Sequence, residues 1–438
     1  MFSCCHTPSS PYGVSIRVGS IPAQGLTTLP LKVPYMLQLA DVLAARDRVA
    51  ATARHTPLDY SHTFSSMTGA DVHLKLETFQ RTGSFKIRGA TNRIATLSEA
   101  EREAGVVTAS AGNHAQGVAL AATRIGVDSK IVMPEHAPNS KVQATESYGA
   151  EVVLHGADYD AAAEYAHRLE VEEGRTYVHA FDDEAVMAGQ GTIGLEIYED
   201  LPEVETVVVP IGGGGLISGI ATALKGKNED IRVVGVQAEG ASSVADSLQK
   251  GHVVERGSVE TIADGIATRK VGEQTFSVIR ERVDEVVTVS DSEIAVALTK
   301  LLERSKTLVE GAGAVALAAV LESRFEFDEG ETIVPALCGG NIDMNVLTTV
   351  IMRGLIETGR YLRLKTVLKD RPGALERLVD VLSAEDVNIY AIEHDRASRD
   401  IAMNDAEVEL DLETKGPAHV DSLLDALESH GYEVEILV

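Results

Sequence analysis

Between Leu58 and Val350, short runs rich in Val and Ile alternate with helical stretches, and no other feature narrows the possible folds as far. The runs include "VHLKLE", "GVVTAS", "KIVMP", "EVVLHG", "YVHAF", "TVVVPIG", "RVVGVQA", "EVVTVS" and "TIVPALC". Several are apolar on both faces, which suits parallel strands covered by helices rather than half-solvated hairpins. Between them, "NHAQGVALAATRIG", "DAAAEYAHRLEVEEG", "GLISGIATALKGK" and "DSEIAVALTKLLERS" carry small or apolar residues at three-to-four spacing, and several end near Gly. The fold class is α/β. So many units predict two lobes, with a ligand cleft at the C-terminal ends of the strands.

The grammar changes after Gly359. "YLRLKTVLKD", "PGALERLVDVLSAED", "NIYAIEHDRA", "AEVELDLET", "AHVDSLLDALESHG" and "YEVEILV" read as strand, helix, strand, strand, helix, strand. That βαββαβ order predicts a separate ferredoxin-like domain over 361–438. At the other end, residues 1–35 are rich in Pro, Gly, Ser and Thr, lack the apolar core of a signal peptide, and are expected to be disordered. Met36 opens the helical "MLQLADVLAARDRVA" and is a second candidate start of translation.

Sixty-six acidic residues against 39 basic ones give a net charge of -27, which disfavours nucleic acid and anionic membranes as partners. The acids are scattered, as on a highly solvated surface of the kind a high-salt cytoplasm demands. The most apolar stretch, "TLVEGAGAVALAAVL", is broken by Glu310 and is too short to span a bilayer. Cys4, Cys5 and Cys338 form neither a disulfide framework nor a zinc-like spacing, so a reducing cytoplasm fits best and no metal site is expected.

Chemistry is concentrated in a few places. The strand "TVVVPI" runs into Gly212, Gly213, Gly214 and Gly215 and then into a helix. Successive glycine amides at a helix N-terminus make an anion-binding concavity, and phosphate is its natural guest, although a tight turn would use one such glycine too. Lys86 heads "KIRGATNRIATL", where the helix dipole and burial both disfavour the ammonium form. Alone it reads as a surface ion-pair residue. Beside a phosphate cradle it reads as a Schiff-base lysine, and the pair suggests pyridoxal phosphate. "TASAGNHAQG" puts Ser110, Ala111, Gly112, Asn113 and His114 at another strand-to-helix junction, where amides and the Asn113 side chain suit a carboxylate or phenolic oxygen; Ser110 or Asn113 would equally serve as a cap, and His114 as an ordinary core or cleft histidine. In "ALCGGNID", Cys338 ends an apolar strand, and a buried structural thiol is the common case.

In this order, "GSFKIRGA", "TASAGNHAQG", "YGAEVVL", "AGQGTIGLEI", "PIGGGGL" and "CGGNID" closely resemble the threonine dehydratase group of fold-type II pyridoxal-phosphate enzymes, over about residues 36–438. The resemblance implies a two-lobed, tryptophan synthase β-like catalytic region over 36–355, with a small lobe at about 76–165 inserted in the large one. It implies that Lys86 holds the cofactor's aldehyde and removes the substrate Cα proton, Phe85 packs beside the cofactor, and Asn113 contacts its phenolic oxygen. Gly212 to Gly215 would bind the phosphate, Cys338 would face the ring nitrogen, and Ser110 to His114 would bind the substrate carboxylate. The implied activity is α,β-elimination from L-threonine to 2-oxobutanoate and ammonia, with L-serine as a second substrate and isoleucine biosynthesis or threonine catabolism as its setting. Serine racemase is the main alternative. Its second base, a serine, is replaced here by Ala111, and the racemases' acidic metal ligands by Gln237 and Ser243. A non-catalytic amino-acid sensor is the alternative from another class. The tail "LKDRPGAL", with its βαββαβ order, resembles an ACT domain, which implies a homodimer or homotetramer and an isoleucine or valine effector, with Pro372 in the first turn of the helix after Arg371-Pro372-Gly373.

Overall fold

The computed structural model describes residues 15–17, 36–396 and 402–438. The chain divides into two compact units, Met1–Asp343 and Met344–Val438.

The first unit holds two sheets. In the larger, five parallel strands run in the spatial order Glu285–Val289, Arg232–Ala238, Thr206–Pro210, Thr332–Leu337, Asp71–Leu76. Every residue of Thr206–Pro210 and Glu285–Val289 is buried, as two-sided helical cover requires. Both edges are closed by antiparallel three-residue strands, Ser15–Arg17 and Leu58–Tyr60. The smaller sheet is parallel throughout, in the order Glu151–Leu154, Ser129–Met133, Val106–Ala109, Thr176–Tyr177. The apolar stretch around Glu310 forms the helix Gly311–Leu321, buried from Gly311 to Val320, so an all-round apolar helix here marks the centre of a core. Among the described residues no helix is long and apolar enough to cross a membrane.

All the Val/Ile runs become strands, and the helix Gly215–Lys227 falls where its pattern put it. Four expectations need correction. Ser15–Arg17, inside the segment expected to be disordered, pairs with Glu285–Val289, because the sheet's outer strand offers an unpaired edge; the rest of 1–35, with Cys4 and Cys5, lies outside the described residues. "YVHAF" forms only the two-residue strand Thr176–Tyr177, and that strand carries the small sheet beyond residue 165. The first unit ends at Asp343 rather than 355, since the helix Met344–Glu357 groups with the C-terminal strands. Pro372 precedes its helix, which begins at Ala374 behind an N-cap Gly373 at φ +80°.

After the helix Met344–Glu357, the second unit has the βαββαβ order expected of a ferredoxin-like domain. Its antiparallel sheet runs Asn388–Asp395, Asp405–Glu413, Tyr361–Lys369, Val434–Ile436. Alternate residues of Tyr361–Lys369 and Asp405–Glu413 are buried. Leu364, Leu410 and Leu412 pack with Leu378, Leu382, Leu423 and Leu427 of the helices Ala374–Ala384 and Pro417–Ser429.

Candidate active site

Three strands drawn from the two sheets, ending at Ala109, Pro210 and Leu337, open into one cleft of about 670 Å³, lined among others by Phe85, Lys86, Asn113, the four glycines, Glu310 and Cys338. Ligands gather at such strand ends because helix N-termini and loop amides point there. Lys86 is the first residue of the helix Lys86–Ala95. Its Nζ lies 5.1 Å from the centroid of the Phe85 ring and donates to Ala180 O at 2.9 Å. Burial lowers its pKa to about 8, although Cys338 and Glu310 pull the other way. Roughly a tenth of the amine is therefore neutral at pH 7, far more than at the ordinary lysine value, and nucleophilic use of an amine requires that form.

The glycine turn is shaped by what leans on it. A Cβ on Gly213 would sit 2.3 Å from the Phe181 ring, and one on Gly215 would sit 2.8 Å from Phe181 O. Gly214, at φ +93°, is the N-cap of Gly215–Lys227, and no side chain caps that helix. The Gly213 carbonyl accepts from Thr275 Oγ1 at 2.7 Å and from Gly272 N at 3.2 Å. The turn is thus pinned through its carbonyl, and its amides face an uncapped helix head suited to an anion.

The segment from Val178 to Asp182 straps these parts together. Its Val178 carbonyl accepts from His114 Nε2 at 2.9 Å, Ala180 from Lys86, and Asp182 Oδ1 from the amides of Gln274 at 3.0 Å and Thr275 at 3.2 Å. Burial and the nearby Lys86 hold the His114 pKa down to about 3, so the ring is neutral and its Nε2–H is committed to Val178. What the loop offers a carboxylate at this position is the backbone amide. The helix Asn113–Ile125 has Gly112 as N-cap with no side-chain cap, so neither Ser110 nor Asn113 serves that purpose; Ser110 Oγ instead accepts from Gly112 N at 3.2 Å.

Glu310 is the residue that sequence reasoning passed over. Its Oε1 accepts from Asn113 Nδ2 at 2.7 Å, and burial raises its pKa to about 7 despite that bond. The available signal was an acid placed directly before a wholly apolar helix, where a solvated role is implausible. Asn341 of "CGGNID" was passed over as well; its Nδ2 donates to Thr82 O at 2.7 Å and to Asn113 Oδ1 at 2.8 Å. Cys338, 3% exposed, donates to Ala312 O at 3.4 Å. Burial, with Glu310 nearby, pushes its thiol well above the usual range and keeps it neutral. All the residues expected at the site except Ala111 line this cleft, and Ala111 lies in the loop between two that do.

A buried amine that can be neutral, sharing a cleft with an uncapped glycine-rich helix head, fits a phosphorylated aldehyde held by both ends. The chain belongs to the pyridoxal-phosphate dependent enzyme family, whose model matches residues 49–339, and it depends on that cofactor. It is 48% identical to the L-threonine ammonia-lyase of Geobacter sulfurreducens over 92% of this chain and the whole of that one. Among solved structures it is similar to the processed form of threonine deaminase isoform 2 from Solanum lycopersicum, with a TM-score of 0.70, 38% identity, and coverage of 77% of this chain and 99% of that one. Maize serine racemase gives a TM-score of 0.69 and 37% identity, over 74% of this chain and 99% of that one.

Proposed function

We propose that this chain deaminates L-threonine to 2-oxobutanoate and ammonia, and L-serine in the same manner. The observation that carries this reading is the buried Lys86 amine beside Phe85, in one cleft with the glycine turn. Pyridoxal phosphate, when bound, supplies an electron sink for the charge left at the substrate Cα. Gly212 to Gly215 would hold its phosphate, Asn113 its ring oxygen and Cys338 its ring nitrogen, while Phe85 would pack against it. Backbone amides of Ser110 to His114 bind the substrate carboxylate and so orient the Cα–H bond. Lys86 Nζ takes that proton. The β-hydroxyl leaves as water on taking up one proton, which balances the proton Lys86 removed. The released enamine shifts its N–H proton to Cβ to become an imine, and water added at Cα then releases ammonia, so the net change is threonine to keto acid plus ammonia.

Likeness to a serine racemase makes racemisation the second reading. It needs a base on the face of Cα opposite Lys86, and the methyl group of Ala111 cannot accept a proton. Keto-acid release from L-threonine and L-serine, with chiral analysis of residual serine, separates the two. Lys86→Ala is expected to abolish release, and racemised serine without keto acid would overturn the lyase reading. We further assign the C-terminal unit to an ACT domain that joins a homodimer or homotetramer and binds isoleucine or valine, in a cytoplasmic enzyme. Its supports are the ferredoxin-like order and the lone buried thiol among the described residues. An unchanged effector response after deletion of 361–438 would defeat the regulatory part.

A further inference from the structure

The orientation of the Asn113 amide is set by a backbone carbonyl one side chain further away. Asn341 Nδ2 lies 2.7 Å from Thr82 O, and a carbonyl oxygen only accepts, so this contact alone decides which end of the Asn341 amide is nitrogen. The same nitrogen lies 2.8 Å from Asn113, and the atom facing it must therefore be Oδ1. Asn113 Nδ2 is left to point the other way, where one of its two N–H groups meets Glu310 Oε1 at 2.7 Å. The second N–H remains for the cleft that Asn113 lines.

We propose that Asn341 is a positioning residue that locks Asn113 as a hydrogen-bond donor to the ring oxygen of pyridoxal phosphate; this rests on the reading that Asn113 meets that oxygen. An ionised ring oxygen is acceptor-only, so an amide free to turn would present an oxygen to it in part of the population, trading attraction for repulsion. The lock belongs to the loop that leads into Lys86. Gly83, at φ +70°, lets Asn341 approach, since a Cβ there would sit 2.3 Å from Asn341 Oδ1. Gly340 N donates to Gly83 O at 2.8 Å, and Phe85 N to Cys338 O at 3.1 Å. One piece of backbone thus sets both the amine and the donor.

The test compares Asn113→Ala, Asn341→Ala, Asn341→Asp and the Asn113→Ala/Asn341→Asp double variant as holoenzymes. Visible absorption of the bound cofactor is followed across pH, and its dissociation constant is measured after dialysis. Asn113→Ala should shift the band and weaken cofactor binding on the order of tenfold. Asn341→Asp, whose acceptor-only carboxylate turns Asn113 around, should match it, and the milder Asn341→Ala should fall between. Because Asn341 acts only through Asn113, the double variant should be no worse than Asn113→Ala. The proposal is overturned if both Asn341 variants bind and absorb like wild type while Asn113→Ala does not, or if the losses multiply in the double variant. If Asn113→Ala itself changes nothing, the ring-oxygen reading fails and takes the lock with it.

Discussion

Lys86 and Arg88 stand two residues apart on one helix, the first half-buried and the second fully so, and the fold treats them in opposite ways. Arg88 is 1% exposed and donates to Glu77 Oε2 at 2.9 Å, Glu196 Oε1 at 2.6 Å and Thr192 Oγ1 at 3.1 Å, among other contacts. Burial alone would discharge it, but Glu77 and Glu196 outweigh burial and raise its pKa. Lys75, fully buried, adds a second cation through Glu196 at 2.7 Å, so two cations meet two carboxylates. Around Lys86 the balance goes the other way, and burial wins over Glu310. A paired charge is an anchor, whereas a buried amine left short of countercharge is ready for chemistry. The helix therefore carries a fixed point one residue pair away from a reactive one.

The largest effect that sharpens this contrast is on turnover. Lys86→Ala should cut keto-acid release by roughly 10³-fold or more while leaving the unfolding midpoint level or slightly raised, since a poorly matched buried amine is removed. Arg88→Leu should do the reverse in kind. Glu77 loses its countercharge and Glu196 keeps only Lys75, which costs about 3–5 kcal/mol, read from denaturant unfolding. Near-normal stability in Arg88→Leu would break the comparison, because the network would then anchor nothing.

Titration separates the two sites at an intermediate scale. Cofactor capture by the resolved enzyme needs the neutral amine, so its rate should climb roughly tenfold per pH unit and level off above about pH 8. A climb continuing to the ordinary lysine value would mean that Lys86 is not held apart from Arg88 in the way described. Glu310 has a sign of its own. Its folded pKa, about 7, lies above its ordinary 4.5, so the stability it contributes is full below 4.5 and is lost as pH rises through 7. Glu310→Gln should flatten that decline in the unfolding midpoint between pH 5 and 8, and an unchanged slope would place the titration elsewhere.

How much of the molecule was legible beforehand depends on the range of the forces involved. The Val/Ile strands and the glycine turn were readable because burial on both faces and an uncapped helix head leave local patterns, as at Thr206–Pro210 and Gly212–Gly215. Ser15–Arg17 and Leu58–Tyr60 were not: three residues give no period, and only a distant edge makes them strands. Lys86 could be placed at a helix head, but Asn341 is 228 residues from the Asn113 that it holds, a separation no spacing rule spans. The quartet around Arg88 was hidden in the same way, since Glu196 reaches Arg88 from 108 residues away. Pro372 misled for a local reason: Gly373 takes the left-handed N-cap, which moves the helix start to Ala374.

The smallest expected effect tests where the reactive region stops. Cys338 shares the cleft with Lys86 and is more deeply buried, yet its thiol is neutral and donates to the Ala312 carbonyl. On the proposed placement of Cys338 at the cofactor's ring nitrogen, a neutral thiol and a neutral hydroxyl would offer the same kind of hydrogen bond, and neither would bring the charge that holds that nitrogen protonated. Cys338→Ser should therefore cost less than about 1 kcal/mol in kcat/KM, roughly a fivefold change, with an unmoved cofactor absorption band. A loss approaching that of Lys86→Ala would show that the sulfur takes part in proton transfer, and the division between one reactive amine and its neutral surroundings would have to be redrawn around two groups.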